Sequence, residues 1–215
     1  MIEHVYTRAA EAPCVDAVVV ATDDARIAAV VEGFGGLVRM TRSTHRAGLD
    51  RIAEVASDLD CDIVVNVQGD EPLLEPQMVT DVVEPLDSNY SVRMSTLRRQ
   101  ISDPADNSNP HVVKVVVDLD GNALYFSRSA VPFVRDAALP SFKHVGLYGY
   151  RRAFACELAS LPRTPLEIAE SLEQLRAIEH GFKIRVVETH YDSIGVDTPE
   201  DLERVRRRMT VGTRV

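Results

Sequence analysis

The sequence predicts an α/β protein of 215 residues, with a mostly parallel central sheet in a three-layer αβα arrangement. Short apolar runs at residues 17–21, 37–40 and 63–67 alternate with segments whose apolar residues follow helical spacing. Because the runs at 17–21 and 63–67 are almost continuously apolar, they are typical of strands buried on both faces of a parallel sheet. The order strand, helix, strand, helix, strand is that of βαβ units.

The first third of the chain opens with a predicted helix, because Ile2, Val5 and Ala9 follow helical spacing. No strand or capping residue precedes this helix in the sequence. Glycine residues from Gly33 onward end a second helix, which follows the strand at 17–21. A third helix near residues 52–59 leads into the strand at 63–67.

The rest of the chain adds a predicted hairpin and two clear helix starts. Asp120-Gly121 lies between strands at residues 112–117 and 123–127, which is a strong hairpin signal. With a further strand near 143–151, we expect residues 109–150 to form a small antiparallel lobe used for dimerisation. Thr164-Pro165 and Thr198-Pro199 each combine a capping hydroxyl with proline at the first helical position.

Length, charge and cysteine usage exclude several classes of protein. The length indicates a single domain over residues 1–215. A net charge of −9 argues against nucleic acid or a membrane surface as a partner, because both would repel the chain. Three scattered cysteines, Cys14, Cys61 and Cys156, give no disulfide framework. No membrane span or signal peptide is visible, and we predict a cytoplasmic protein.

The polar turn Gln68-Gly69-Asp70-Glu71-Pro72 follows the most apolar strand and is the main candidate for a functional site. Ligands of open α/β sheets bind beyond the carboxyl ends of the strands, where Asp70 would lie. Asp197 also follows a strand-like segment, and two such carboxylates suit magnesium that carries substrate phosphates. Alternatively, Asp70 solvates a surface turn and Asp197 belongs to the start of a helix.

Other polar residues each have a functional and a structural interpretation. Asp23 follows the first strand and either belongs to a helix cap or faces a ligand. Lys114 and Arg128 could bind a carboxylate or phosphate, or be ordinary side chains of the protein. His144 lies among alternating glycines, which allow close approach of a ligand or tight packing. The pair Glu173-Gln174 is expected in a long helix, where most such pairs are solvated.

Taken together and in order, seven motifs resemble the CMP-Kdo synthetase family, the 3-deoxy-manno-octulosonate cytidylyltransferases. The motifs cover nearly the whole chain, and their combination is more specific than any single motif. They are Val65 to Pro72, Asn109-Pro110, Val113 to Val116, Ala123 to Arg128, Gly146 to Arg151, Leu172 to Arg176 and Gly195 to Leu202.

The resemblance implies a Rossmann-like nucleotidyltransferase fold of the nucleotide-diphospho-sugar transferase type, and a homodimer. It also implies transfer of a cytidylyl group from CTP to the sugar acid Kdo, releasing pyrophosphate, for lipopolysaccharide biosynthesis. By matching position, Asp70 and Asp197 would be the catalytic residues and magnesium ligands, and Asp23 and Arg51 would bind the nucleotide. The residues that would contact the sugar are Gln68, Arg128, His144, Tyr148, Glu173 and Gln174.

Two departures from the family leave further hypotheses open. The family normally begins with a central strand and a basic, glycine-containing loop that cradles the triphosphate, and this sequence begins after that loop. The segment Ala47-Gly48-Leu49-Asp50-Arg51 lacks the two hydroxyls of the corresponding family motif, which predicts a poorer helix cap. One alternative is therefore a non-catalytic nucleotide-sugar-binding or dimer-partner homologue. Another is a cytidylyltransferase for a related sugar acid.

Overall fold

We describe the fold from a computed structural model, which defines residues 1–45, 47–136, 139–192, 195–196 and 198–212. Within these residues there are nine helices and eight strands. The helices are α1 (Ile2–Ala10), α2 (Ala25–Gly33), α3 (Gly48–Ser57), α4 (Pro76–Ser88), α5 (Pro104–Ser108), α6 (Arg152–Ser160), α7 (Pro165–Glu170), α8 (Gln174–Glu179) and α9 (Pro199–Gly212). The strands are β1 (Val19–Thr22), β2 (Leu37–Met40), β3 (Ile63–Asn66), β4 (Met94–Gln100), β5 (Lys114–Val117), β6 (Ala123–Ser127), β7 (Phe142–Arg151) and β8 (Arg185–Glu188).

The strands form two sheets, and the larger one is mixed. β1 and β2 pair in parallel, while the other strands follow the order β6-β5-β7-β4-β8, with β3 also paired to β7. β7 runs antiparallel to both β3 and β4, and β8 runs parallel to β4. The α/β class is therefore confirmed. The sheet is mixed rather than mostly parallel, because the long strand β7 inserts between β3 and β4, which run in the same direction.

The predicted hairpin is confirmed, but it belongs to the main sheet. β5 and β6 are antiparallel around Gly121, whose φ of 79° suits glycine at the turn. β5 also pairs with β7 at Lys114 and Lys143. Residues 109–150 therefore do not form a separate antiparallel sheet, since their longest strand, β7, pairs with β3, β4 and β5 of the larger sheet. Their role in dimerisation stays a prediction.

In the described part of the chain, no strand connects the two sheets. Among the described strands, β1 pairs only with β2 and β3 pairs only with β7, although α3 packs against both β1 and β3.

Local sequence signals account for most helix starts. The Asp24 side chain caps α2 by accepting a hydrogen bond of 2.8 Å from the Arg26 N–H. Contact with Arg26 lowers the pKa of Asp24 to about 2. The Thr164 N–H donates to Glu167 Oε2 at 3.2 Å, which is one half of the capping box predicted for α7, while the Thr164 hydroxyl makes no hydrogen bond with the described residues. Prediction failed at α5, which lies in the segment 102–110 that the sequence predicted to be a loop, although Asp103 caps this helix and Pro104 follows at the first helical position.

The long helix predicted around Glu173 and Gln174 is interrupted. Ser171 adopts a left-handed conformation, with φ of 54°, and separates α7 from α8. A buried ion pair joins the two short helices, because Arg176 on α8 donates to Glu167 on α7 at 2.6 and 2.8 Å. Both side chains are at most 2% exposed. This bidentate pair fixes the corner that carries Glu173 and Gln174.

The core packs against both faces of β7, because side chains alternate along a strand. Val145 and Leu147 belong to an apolar cluster with Met78, Val79 and Val82 of α4. On the other face, Tyr150 joins a cluster that contains Phe126, Phe154, Leu172 and Leu175. Two further observations apply to the described chain: its three cysteines are free, and none of its helices is long and apolar enough to cross a membrane.

Candidate active site

One face of β7 borders a cavity of about 260 Å³. Of the six residues predicted to contact the sugar, five line this cavity: Gln68, His144, Tyr148, Glu173 and Gln174. They come from three parts of the chain, namely the turn after β3, the strand β7 and the corner between α7 and α8. The structure thus brings together residues that are more than 100 positions apart in sequence.

Gly146 provides room between the two aromatic residues of this face. His144, Gly146 and Tyr148 alternate along β7 and all line the cavity. A Cβ atom placed on Gly146 would have Glu71 Oε1 as its nearest neighbour, at 3.9 Å. The backbone of β7 is therefore exposed to the cavity at this position, and a larger side chain would occupy the space.

His144 is electrically neutral at physiological pH and can accept a hydrogen bond. Burial lowers the pKa of His144 to about 3. Its Nε2 lies 2.9 Å from Thr96 Oγ1, which is also 2.8 Å from the Leu147 carbonyl oxygen. The hydroxyl has one hydrogen, and when it donates to this carbonyl, Nε2 carries the imidazole proton. The other ring nitrogen, Nδ1, is then an acceptor.

Tyr148 and Tyr150 continue the aromatic wall of the cavity. The rings of His144 and Tyr148 are 5.3 Å apart, and those of Tyr148 and Tyr150 are 6.0 Å apart. Burial, with a contribution from the negative charge of Glu173, raises the pKa of both tyrosines. Both phenols therefore keep their protons and can donate hydrogen bonds.

Gln174 presents a donor that has no partner in the described structure. The residue is 4% exposed and lines the cavity, and its Nε2 makes no hydrogen bond with the described residues. A buried amide donor without a partner costs about 1–3 kcal/mol. The side chain is therefore suited to a ligand that brings an acceptor oxygen.

The two predicted magnesium ligands are only partly covered by the structure. Asp70 follows β3 as predicted, whereas Asp197 lies outside the described residues. Its described neighbour Val196 donates from its backbone N–H to the Asp70 carbonyl oxygen at 2.9 Å. A Cβ atom on Gly195 would lie 4.0 Å from Asp70 Oδ2. The segment before Asp197 therefore packs directly on Asp70.

No group of three or more His, Cys, Asp or Glu side chains in the described chain could hold a metal ion. This finding excludes a cage built entirely from described protein ligands. Magnesium usually binds to one or two carboxylates and completes its octahedron with water and substrate phosphates. A partly exposed Asp70 at the end of β3 fits that mode of binding.

The two predicted nucleotide-side residues contact each other. Arg51 Nη1 lies 3.1 Å from Asp23 Oδ1 and also donates to Thr41 Oγ1. Asp24, not Asp23, caps α2, which leaves the Asp23 carboxylate available to pair with Arg51. This pair joins the end of β1 to the first turn of α3.

Comparison with known proteins identifies the family. Residues 1–184 match the model of the cytidylyltransferase family. The 3-deoxy-manno-octulosonate cytidylyltransferase of Geobacter sulfurreducens is 55% identical, over 97% of this chain and 88% of the relative. The enzyme of the same name from Solibacter usitatus is 53% identical, over 96% of this chain and 83% of the relative. This chain belongs to the 3-deoxy-manno-octulosonate cytidylyltransferase family.

Solved structures agree with this assignment. A structure of CMP:2-keto-3-deoxy-manno-octonic acid synthetase complexed with CTP superposes with a TM-score of 0.93. It is 42% identical and is matched over 98% of this chain and 88% of its own. The fold extends further, because 4-diphosphocytidyl-2C-methyl-D-erythritol synthase from Anaerococcus prevotii has a TM-score of 0.62 at 16% identity, over 97% of this chain and 88% of its own.

Two cationic residues suggested by the sequence are not among the residues that line the cavity. Arg128 uses Nε to donate to the Glu170 carbonyl at 2.8 Å and Nη1 to donate to the Pro110 carbonyl at 3.1 Å. Lys114 is fully buried, and its ammonium donates to three main-chain carbonyls, those of Asn109, Val112 and Arg128. Burial also lowers the pKa of Lys114. Lys114 therefore has no donor left for a substrate, contrary to that functional interpretation.

The sequence analysis missed Asn66 and Ser171, which also line the cavity. Asn66 is 6% exposed at the end of β3, and Gln68 Nε2 is 3.5 Å from its Oδ1. A polar residue that ends an apolar strand was a usable signal for Asn66. Ser171 carried no comparable signal, because its left-handed backbone conformation depends on the packing of α7 against α8.

Proposed function

We propose that this chain transfers the cytidylyl group of CTP to the anomeric hydroxyl of Kdo, and that pyrophosphate leaves. Membership of the family supports this reaction. The single structural observation that carries the proposal is the cavity beyond the end of β3, which gathers five predicted sugar-side residues. One of these, Gln174, holds a buried donor that a sugar oxygen would satisfy.

The cavity residues divide into donors and acceptors that suit a polyhydroxylated acid. Tyr148 and Gln174 donate hydrogen bonds, whereas Nδ1 of neutral His144 accepts one from a sugar hydroxyl. Gln68, in the turn after β3, extends this set toward Asp70. Because His144 is neutral, it does not balance the charge of the sugar carboxylate, which therefore needs another cation.

We propose that Asp70 and Asp197 hold magnesium together with the substrates. The packing of Gly195 and Val196 on Asp70 supports this assignment. When bound, magnesium would neutralise phosphate charge and make the attacking hydroxyl more acidic. The side chains of the cavity would orient the sugar so that its anomeric hydroxyl faces the α-phosphorus, and such positioning contributes much of the acceleration in phosphoryl chemistry.

On the nucleotide side, we propose that Arg51 and Asp23 contact CTP. Their ion pair of 3.1 Å lies at the first turn of α3, and α3 also borders the cavity through Leu49. A homodimer in the cytoplasm, in which residues 109–150 contribute to the interface, completes the proposal. The free cysteines are consistent with that reducing compartment.

The reaction is tested by incubating the protein with CTP, Kdo and magnesium and measuring the pyrophosphate that is released. The 215-residue chain is assayed alone and with a relative's predicted N-terminal strand and basic loop added. We expect turnover from at least one form, and we expect Asp70→Asn to reduce kcat/KM by about 100-fold or more, as loss of a charged group at a phosphoryl centre does. Asp87→Asn, on the exposed end of α4, is the control and should leave turnover unchanged. Absence of turnover from both forms would reject the enzyme and favour a binding protein.

The same assay addresses the choice of sugar. Kdo is compared with nine-carbon sialic acid and with an amino derivative of Kdo. The proposal expects the highest kcat/KM for Kdo, and a preference for either competitor would reassign the substrate within the same reaction class.

A further inference from the structure

The first turn of α3 is capped by a residue from a distant part of the chain. Ala47 occupies the N-cap position, with the extended backbone angles that are usual there, but its side chain cannot accept a hydrogen bond. Instead, the Gly48 N–H donates to Glu173 Oε1 at 3.0 Å, and the Leu49 N–H donates to Glu173 Oε2 at 3.2 Å. The Glu173 carboxylate thus satisfies two amides at the positive end of a ten-residue helix.

The same turn connects the cavity with the nucleotide side. Glu173 and Leu49 line the cavity. Arg51, only two residues after Leu49, reaches Asp23 Oδ1 at 3.1 Å and also Thr41. Any shift of the first turn of α3 would therefore move a cavity residue and the guanidinium of Arg51 together.

We infer that Glu173 is a positioning residue: it caps α3 in place of the missing hydroxyl at Ala47 and so links the sugar cavity to Arg51. Each carboxylate oxygen still has a lone pair for a sugar hydroxyl, so this role is compatible with direct contact to the sugar. The kinetic part of the inference rests on the proposed cytidylyltransferase reaction, whereas the capping role does not.

A four-protein cycle tests the inference: the wild type, Glu173→Gln, Ala47→Ser and the double variant. Glutamine has one acceptor oxygen and no charge, so it loses most of the cap. Serine at position 47 would supply a cap from within α3, and Ala47 is only partly buried, which leaves space for a hydroxyl. Glu179→Gln is the matched control, because Glu179 accepts from the Leu166 and Glu167 amides at the start of a different helix, α7.

The first measurement does not depend on activity. Hydrogen exchange of the Gly48 and Leu49 amides should accelerate roughly five- to tenfold in Glu173→Gln, the factor expected for loss of a helix cap. The double variant should return toward the wild-type rate at Leu49, and Glu179→Gln should leave both amides unchanged. Unchanged exchange in Glu173→Gln, or no recovery in the double variant, would overturn the capping role.

The second measurement separates positioning from sugar contact. We expect Glu173→Gln to raise KM for both CTP and Kdo, and the double variant to restore KM for CTP while KM for Kdo stays raised. If the double variant restores neither KM for CTP nor KM for Kdo, the link between Glu173 and Arg51 is overturned. If no protein in the cycle turns over but the exchange results hold, the proposed reaction fails and the capping role stands.

Discussion

The two faces of β7 differ in what fills the space beside them. On one face, Val145 and Leu147 pack among side chains of α4 and leave no room. A Cβ atom on Gly149 would lie 2.7 Å from Leu86 Cδ1 and 2.8 Å from Ser95 Oγ. On the other face, Gly146 faces open space between His144 and Tyr148, with no neighbour closer than 3.9 Å to such an atom.

The difference shows how one strand serves stability and binding separately. Alternation of side chains places Val145, Leu147 and Gly149 against α4, while the opposite face borders the cavity and, at Tyr150, also joins the second core cluster. The two glycines have different effects: Gly149 lets α4 pack closely against β7, whereas Gly146 leaves space for a ligand. Changes on the packed face should therefore lower the free energy of unfolding, and changes on the cavity face should alter substrate binding.

The largest expected effect is on the packed face. Leu147→Ala should lower the free energy of unfolding by about 2–5 kcal/mol, because it leaves a cavity in a fully buried cluster. Urea denaturation measures this change. A loss below about 1 kcal/mol would show that this face is not closely packed.

The paired glycines give a smaller and more discriminating test. Gly149→Ala should lower the free energy of unfolding by about 1–3 kcal/mol, since the new methyl must separate β7 from α4. Gly146→Ala should change stability little and raise KM for Kdo, because its methyl enters the cavity. Equal losses of stability in the two variants would contradict the assignment of the two faces.

Local signals in the sequence predicted the elements that form this framework. The apolar runs predicted β1, β2 and β3, Asp120-Gly121 predicted the hairpin, and Thr164 predicted the start of α7. These predictions succeeded because turn and cap chemistry acts within a few residues. The same logic placed a ligand site after β3, where the cavity lies.

Other features depend on contacts between distant residues, and the sequence did not predict them. The insertion of β7 between β3 and β4 is a matter of strand pairing, not of local pattern. The cap on α3 comes from Glu173, 124 residues beyond Leu49. Arg128 matches the family motif by position, and its guanidinium donates to the main-chain carbonyls of Glu170 and Pro110, contacts that no local pattern predicted.

A pH titration probes the cavity face. The pKa of His144 is about 3 in the folded chain, against 6.5 ordinarily, so folding favours the neutral ring. The stability it contributes is complete above about pH 6.5 and is lost as pH falls toward 3, with a slope of at most about 1.4 kcal/mol per unit. Urea denaturation between pH 7.5 and 4.5 measures the free energy of unfolding at each pH. We expect this free energy to fall less steeply with falling pH in His144→Gln than in the wild type. An identical slope in both proteins would mean that His144 titrates normally.

The central claim is that the cavity of about 260 Å³ binds the sugar acid, and Gln174→Met tests it most directly. Methionine fills a similar volume but removes a buried donor that has no partner in the described structure. Both quantities are measured on the same sample of Gln174→Met. Relative to the wild type, we expect the free energy of unfolding to be unchanged or raised and KM for Kdo to rise roughly tenfold or more. An unchanged KM for Kdo in a folded variant would contradict the claim.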